Sequence, residues 1–558
     1  MSILKFASQI LLAVIFSTIL GTANGENAKI APLVSGLGNH SYPINNCKSE
    51  AQTYFDQGLR LYYGFRFPES LASFQQASAL DPSCAMALWG EALAIGPNPN
   101  SRYLGFPDDP KSAGLVAIEK ADQLLEHATP KERELIQALG LRFARNRPRG
   151  ERDLAYREAM ASISAKYPDD AEILTLYCEA LMTESAWDYW TPDGKPRSGT
   201  TKAMLALNTA LKINENHPGA NHLFIHLLED SLTPEIALPH AERLADSMPN
   251  VGHMVHMPTH IHIRTGQYQK AIDLNQQSIE AAATLVNSWG EHSLPMGVPS
   301  LSSSDRTHAG HALDFIHLAS VLQGNFGAAM KHAYALSESV ETKLHAFGGF
   351  QRRFVKPMLT LRRFSRWDEI LSLTPIENAP SLVSGLYLFA RGSAMLHTED
   401  IAGARNALRK LFLLVESPET AKQRSWVNNV DVLLRIASQV LSAEIDIKNK
   451  QYARAIASYE DAIRLEDGLN YMEPPEWGHP VRQELGALLL RLNRPREAET
   501  VFWEDLRRNP ENGWSLHGVW QSLLAQGKGA EAKQVESRFF AAWQSSDTKL
   551  ENGRALSP

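Results

Sequence analysis

The 558-residue sequence has little of what marks most enzymes and nucleic-acid binders on sight. It holds three cysteines, Cys47, Cys84 and Cys178, too few for a thiolate metal cluster or a dense disulfide framework. It has no basic run: 55 Lys+Arg against 62 Asp+Glu leave a net charge of −7, so nothing suggests a nucleic-acid surface. No HExxH, phosphate loop, dinucleotide fingerprint or nucleophile elbow is present, which removes the zinc proteases and the common nucleotide and hydrolase sites. Strand signals are scarce. Past residue 25 no stretch is long and apolar enough to span a bilayer.

What remains is a globular composition, 44% hydrophobic and 21% charged, in a chain too long for one ordinary core. The chain should therefore split into domains or form a repeat array. Residues 1–25 read as a cleaved signal peptide, a singly charged start, an apolar run and a small-residue end. That implies a secreted or periplasmic protein in which disulfides can form. Residues 26–46 are polar and turn-rich and read as a flexible leader. Cys47 precedes the first helical repeat and Cys84 ends it. A bridge between them would pin that edge; the alternative is two small buried side chains.

From residue 47 the chain reads as helical hairpins of the 34-residue tetratricopeptide (TPR) type. With Ala51 at position 1, Gly58 falls at position 8, Phe74 at 24, Ala77 at 27 and Pro82 at 32. Those slots take small residues, one large apolar residue and a helix-ending proline. The expected architecture is an all-α, right-handed helical-hairpin solenoid. Its N-terminal repeats cover 47–168, its central repeats 169–340 and its C-terminal repeats 341–546, with a frayed tail over 547–558. A Ser/Pro/Gly-rich loop over 287–310 interrupts the central repeats and could cover their groove.

The central repeats carry the chemistry. Residues 217–317 hold 12 of the 19 histidines. His222 and His226 are spaced i,i+4 and share one helical face, and His256 and His260 repeat the pair 34 residues later. In tetratricopeptide arrays positions 2, 5, 9 and 12 of each first helix face the concave groove. His222, His226 and Glu229 take 5, 9 and 12 of one repeat; His253, His256 and His260 take 2, 5 and 9 of the next; His311 and Asp314 take 2 and 5 of the third; Glu179 takes 9 of the repeat before them. Neighbouring helices lie roughly 10 Å apart, so imidazoles and carboxylates from adjacent repeats can meet at one ion. Neutral imidazole with carboxylate suits a divalent transition metal, Zn, Fe, Cu or Mn. Single histidines on helices are usually core or surface residues. The repetition at matching positions is what favours ligation.

The remaining histidines rank lower. His217, His240, His262 and His317 fall off the groove positions, whereas His292 and His308 could reach the site from the loop. Trp187, Tyr189 and Trp190 could wall a pocket or cap a repeat. Tyr471, Glu473, Trp477, His479 and Arg482 form a second polar–aromatic cluster, read as packing or groove edge.

The strings FDQGLRLYYGF, DPSCAMALWGEALAIGPNPN, WDYWTPDGKP, HPGANHLFIHLLE, GHMVHMPTHIHIRTGQY and EPPEWGHPVRQELGALLL resemble a family of exported, mostly bacterial TPR proteins with a histidine-rich central motif. The resemblance spans most of the mature chain and supplies a fold but no reaction. Where similar chains often carry His-x-x-His in the third segment, this one has His311-x-x-Asp314.

Two classes of function follow. One is a metalloprotein, an enzyme if a coordination position stays open for a small-molecule substrate. The other is a non-catalytic scaffold whose groove holds a peptide or protein partner. A peptide clamp would favour Lys, Arg and Asn at positions 5 and 9 rather than paired histidines.

Overall fold

The structure, a computed structural model, describes residues 30–99, 112–191, 193–290 and 301–555, the side chains of 301–307 excepted. The expected signal peptide, His292 and residues 291–300 of the expected loop lie outside the described residues.

The described chain is an all-α, tetratricopeptide-type solenoid of helical hairpins, with a single two-stranded β-hairpin at its C-terminal end among the described residues. Successive helices pair along the chain: Ser49–Tyr63 with Phe67–Leu80, Ala171–Glu184 with Thr200–Ile213, Pro218–Leu228 with Leu238–Ser247, and on to Gly513–Ala525 with Gly529–Ala542. The small-residue slots work as the pattern requires. A methyl group at Gly58 or Gly90 would meet the Phe74 ring at 2.8 or 2.4 Å. Near the other end Gly486 and Gly518 flank Phe502 in the same way, at 2.6 and 2.3 Å. One phenylalanine thus fills the notch left by glycines of two neighbouring helices, which fixes their approach. No helix among the described residues is long and apolar enough to cross a membrane.

Three segments differ from expectation. Residues 30–46, read as a flexible leader, have no regular structure but run as a strap over the first repeats. Ala31, Leu37 and Tyr42 are buried, and backbone groups at Ile30, Val34 and Tyr42 bond to side chains of Gln76, Gln57 and Asp56. Side-chain acceptors on the hairpin satisfy a backbone that forms no ladder of its own. The strap continues into Cys47, which is disulfide-bonded to Cys84.

The expected loop over 287–310 is largely helical where it is described. The two helices that flank it, Tyr268–Trp289 and Leu301–Leu322, run into it from either side and are 22 residues each. Ser and Thr disfavour helix only weakly, and extending an existing helix is cheaper than starting one.

The tail read as frayed folds back. Leu550–Glu551 pairs with Arg554–Ala555, Asp547 accepts the Phe326 and Gly327 amides, and Arg554 reaches Glu484 at 3.1 Å.

The winding is tight enough for distant repeats to touch. Tyr268 donates to the Pro510 carbonyl at 2.6 Å and Trp514 to that of Val321 at 2.8 Å. The segment 471–480, between Tyr452–Asp467 and Val481–Arg491, is thereby brought against the central repeats.

Candidate metal centre

The repeat register sets the histidine wall. Pro218 opens the helix Pro218–Leu228, and His222 and His226 lie one turn apart on it, ring centroids 4.8 Å apart. The next repeat breaks at Pro258, which lacks an amide proton, into Gly252–His256 and Pro258–Arg264. The break leaves the His256 and His260 rings adjacent, 4.8 Å apart and nearly perpendicular. His308 and His311 come from Leu301–Leu322.

The imidazoles form two trios rather than one four-histidine site. Donor atoms of His222, His226 and His253 lie within 4.8 Å of one another, and so do those of His256, His260 and His311. Each trio is covered by one phenylalanine in ring contact with all three imidazoles. Phe65 lies 4.4, 5.7 and 5.1 Å from His222, His226 and His253. Phe315 lies 4.8, 4.7 and 5.1 Å from His256, His260 and His311. Phe65 adopts φ 54°, a left-handed conformation unusual for a side chain of that size, in the turn after Ser49–Tyr63.

The Nδ1 atoms decide which lone pairs face inward. His222 Nδ1 lies 2.6 Å from the Tyr63 carbonyl, so it carries the proton and Nε2 is a lone pair. His226 Nδ1 lies 3.1 Å from Glu229 Oε1, and its buried Nε2 has no partner among the described residues. His256 Nδ1 lies 2.6 Å from Asn275 Oδ1, whose orientation is fixed because Asn275 Nδ2 donates to the Ala271 carbonyl. His260 Nδ1 is approached by two carboxylates, Glu229 Oε2 at 2.6 Å and Glu473 Oε2 at 2.7 Å, neither in line for a hydrogen bond. Nδ1 of His222, His226 and His256 is therefore hydrogen-bonded to oxygen, and Nδ1 of His260 is held between two carboxylates by charge. His222 Nε2 lies 3.1 Å from His253 Nε2, and His256 Nε2 lies 2.9 Å from His260 Nε2. Two nitrogens sharing a tetrahedral zinc at about 2.0–2.1 Å sit roughly 3.3 Å apart, so these separations are within a few tenths of an ångström of ligation distances.

Glu229 joins the trios, one oxygen on His226 and the other on His260. Burial pushes the pKa of His222, His253, His256 and His311 well below the ordinary histidine value, which leaves them neutral, the form that binds metal. His260 is the exception. Burial lowers its pKa, but Glu229 and Glu473 outweigh it and raise it to about 10. Without a metal, a proton on His260 relieves the lone-pair contact with His256.

Two residues predicted as ligands are engaged elsewhere. Glu179 accepts from Tyr62 at 2.6 Å and pairs with Arg142 at 3.4 Å. Asp314 is ringed by Arg352, Arg353 and Lys356 at 2.9, 3.2 and 3.3 Å. A carboxylate neutralised by buried cations is a poor ligand, and register alone could not show which partners would reach these positions. His217, His240 and His317 bond to Glu172, Asn221 and Thr360, apart from the trios. His308 lies beside them, 6.0 Å from the His253 ring and 5.5 Å from that of His256, with Nε2 on Ser278 Oγ at 2.6 Å. Trp187 meets the His226 ring edge-on at 5.4 Å, and Trp190 donates to the Leu227 carbonyl.

Glu473, Phe65, Phe315 and Asn275 were not among the predicted ligands. The sequence pattern places Glu473 only in the second polar–aromatic cluster. It stands more than two hundred residues from His260, and only the winding of the array joins them.

No family model and no curated protein matches the sequence. Among solved structures the chain is similar to a human IFIT1 dimer with m7Gppp-AAAA at 13% identity and a TM-score of 0.32, over 89% of this chain and 91% of that one. Ypp1 aligns at 9% identity with a TM-score of 0.45, over 89% and 81% of the two chains. Yeast Tom70 aligns at 12% identity with a TM-score of 0.28, over 88% and 91%. Likenesses this distant bring no function to the present chain, whose helix pairing defines its fold by itself.

Proposed function

We propose that this chain is a metal-binding helical-repeat protein, and that its central histidine trios hold a divalent transition ion. One observation carries the reading: in each trio two Nδ1 atoms face oxygens while Nε2 atoms of neighbouring rings come within 3.1 and 2.9 Å of each other. An outer-shell oxygen on one nitrogen, with the other presented inward, is how proteins orient histidine ligands and raise their basicity. The donors are imidazole and carboxylate, with no thiolate, which fits Zn, Fe, Cu or Mn.

A three-nitrogen set leaves a position of a tetrahedral ion open, as catalytic zinc sites do and closed structural ones do not. An ion there would supply Lewis acidity. The chain itself would hold the ligands neutral by burial, screen them with Phe65 and Phe315, and take up or release a proton at His260. The resemblance to exported TPR proteins favours a location outside the cytoplasm, in keeping with the Cys47–Cys84 bridge.

Partner binding, the other role open to repeat arrays, would use other surfaces. His222, His226, His256 and His260 are all buried, and Glu473 lies against His260, so an extended peptide has no free histidine face to lie on.

The test is elemental analysis of protein purified without a histidine tag. Near-stoichiometric metal is expected in the parent chain, falling at least tenfold in a His256→Ala/His260→Ala variant that still folds. A parent chain that takes up no Zn, Cu, Fe or Mn on dialysis and gains no thermal stability from them would sink the proposal.

A further inference from the structure

Beyond the segment 473–479 lies a cavity enclosing ≈ 720 Å³ of space not filled by atoms, its opening to solvent included. Its lining combines two chemistries. Leu359, Leu382, Leu386, Phe389 and Leu433 make an apolar wall. Arg352 and Lys356 face it on the polar side, with side chains only 5% and 10% exposed.

The polar side has cationic and donor capacity to spare. Arg352, Arg353 and Lys356 share a single carboxylate, Asp314. Glu476 also lines the cavity, but its oxygens already accept from the Trp426 amide and from the Asn428 amide and side chain. Among the described residues the Lys356 ammonium has one polar contact, with Asp314 at 3.3 Å, and an ammonium has three donors. Ser425 Oγ and Trp477 Nε1 are buried among the lining residues and have no hydrogen-bond partner among the described residues. Buried donors of this kind cost free energy unless something accepts from them. His317 donates through Nε2 to Thr360, whose hydroxyl proton goes to the Lys356 carbonyl. Its Nδ1 is thus a lone pair, left for a water or a ligand hydroxyl.

We infer that this cavity binds a small amphipathic carboxylate, its head taken by Lys356, Arg352, Ser425 and Trp477 and its apolar body laid on Leu382, Leu386 and Phe389. The site is separate from the histidine trios; both draw on the helix Leu301–Leu322 and on the segment 473–479. Arg352 Nη1 donates to the Pro474 carbonyl at 2.8 Å, on the residue next to Glu473. Binding there does not require a metal.

Octanoate is a suitable probe, read by calorimetry and by the change in tryptophan fluorescence on the full chain. Saturable one-to-one binding is expected, with octanol at least tenfold weaker and no competition from inorganic phosphate. Lys356→Met should weaken octanoate at least tenfold, Ser425→Ala about threefold, and Leu386→Trp should abolish binding by filling the apolar wall. A thermal melt of each variant checks the fold, and Ser425→Ala decides if Lys356→Met fails to fold. The inference is overturned if octanoate does not bind. It is also overturned if octanol binds as tightly, if phosphate competes on equal terms, or if the folded charge and hydroxyl variants bind like the parent.

Discussion

Two histidine–carboxylate clusters in this array have similar ingredients and differ in completeness. In the first, Glu172 Oε2 lies 2.9 Å from His40 Nε2 and 3.2 Å from His217 Nε2, Tyr63 donates to its other oxygen, and His217 Nδ1 accepts the Ala220 amide. The protein's own atoms close that network, which ties the 30–46 strap to Ala171–Glu184 and Pro218–Leu228. In the central cluster the oxygens sit behind the imidazoles, and the Nε2 atoms in front face one another. Counting histidines and acids does not separate the two. What separates them is where each ring proton goes: a network that satisfies itself reads as structural, and one that leaves lone pairs converging reads as a place for a cation.

The largest expected effect comes from a third cluster, in which a carboxylate is held by cations rather than by imidazole. Asp314→Asn leaves Arg352, Arg353 and Lys356 without their shared carboxylate, and loss of one partner from a buried ion pair costs about 3–5 kcal/mol. Denaturant unfolding should show that loss with metal content unchanged. Metal loss in a folded Asp314→Asn protein would blur the line between carboxylates held by cations and those standing behind imidazoles.

Next comes the matched pair Glu229→Gln and Glu172→Gln. Removing a carboxylate behind a ligating histidine typically lowers metal affinity about 10–100-fold. That loss is expected for Glu229→Gln, while Glu172→Gln should keep its metal and lose only stability. Equal metal affinities in the two variants would break the comparison.

The clusters should also answer pH in opposite directions. Burial lowers the His217 pKa, and it pushes Glu172 up, but hydrogen bonds from His217 and His40 outweigh that and hold Glu172 well below the usual carboxylate range. For both groups the unfolded chain binds the proton better. Their stabilisation is therefore present at neutral pH and lost on acidification, from about 6.5 for His217 and about 4.3 for Glu172. Amide protection across residues 30–46, taken relative to the intrinsic exchange rate at each pH, should fall between pH 7 and pH 4. In metal-free protein His260 behaves oppositely: its raised pKa gives stability that is complete below about 6.5 and lost as pH rises through about 10. Bound metal should erase that alkaline loss in thermal melts. The smallest effect is expected for Trp187→Ala. This residue is 39% exposed and touches His226 only edge-on, so metal affinity should fall less than about threefold, the loss of one weak aromatic contact.

Much of the fold was legible because its rules are local. The glycine and phenylalanine slots at positions 8 and 24 follow from hairpin packing, and Gly58 and Phe74 occupy them as the pattern requires. The i,i+4 histidine pairs likewise stayed adjacent, even across Pro258. Misreadings fell where long-range contact overrides composition. The polar residues 30–46 look disordered until Gln57, Gln76 and Asp56 supply their bonds, and the tail looks frayed until Asp547 finds the amides of Phe326 and Gly327.

The sequence alone determined the helical hairpins and the helix on which each histidine rides, because backbone hydrogen bonding and side-chain periodicity act within a few residues. Tertiary structure decided which carboxylates stand behind imidazoles and which are claimed by arginine and lysine. Glu229 and Glu473 meet His260, whereas Glu179 and Asp314 meet buried cations. In a wound array such partners come from repeats far apart in sequence, and their pairing is set by the cost of burying a charge unmatched rather than by any local spacing.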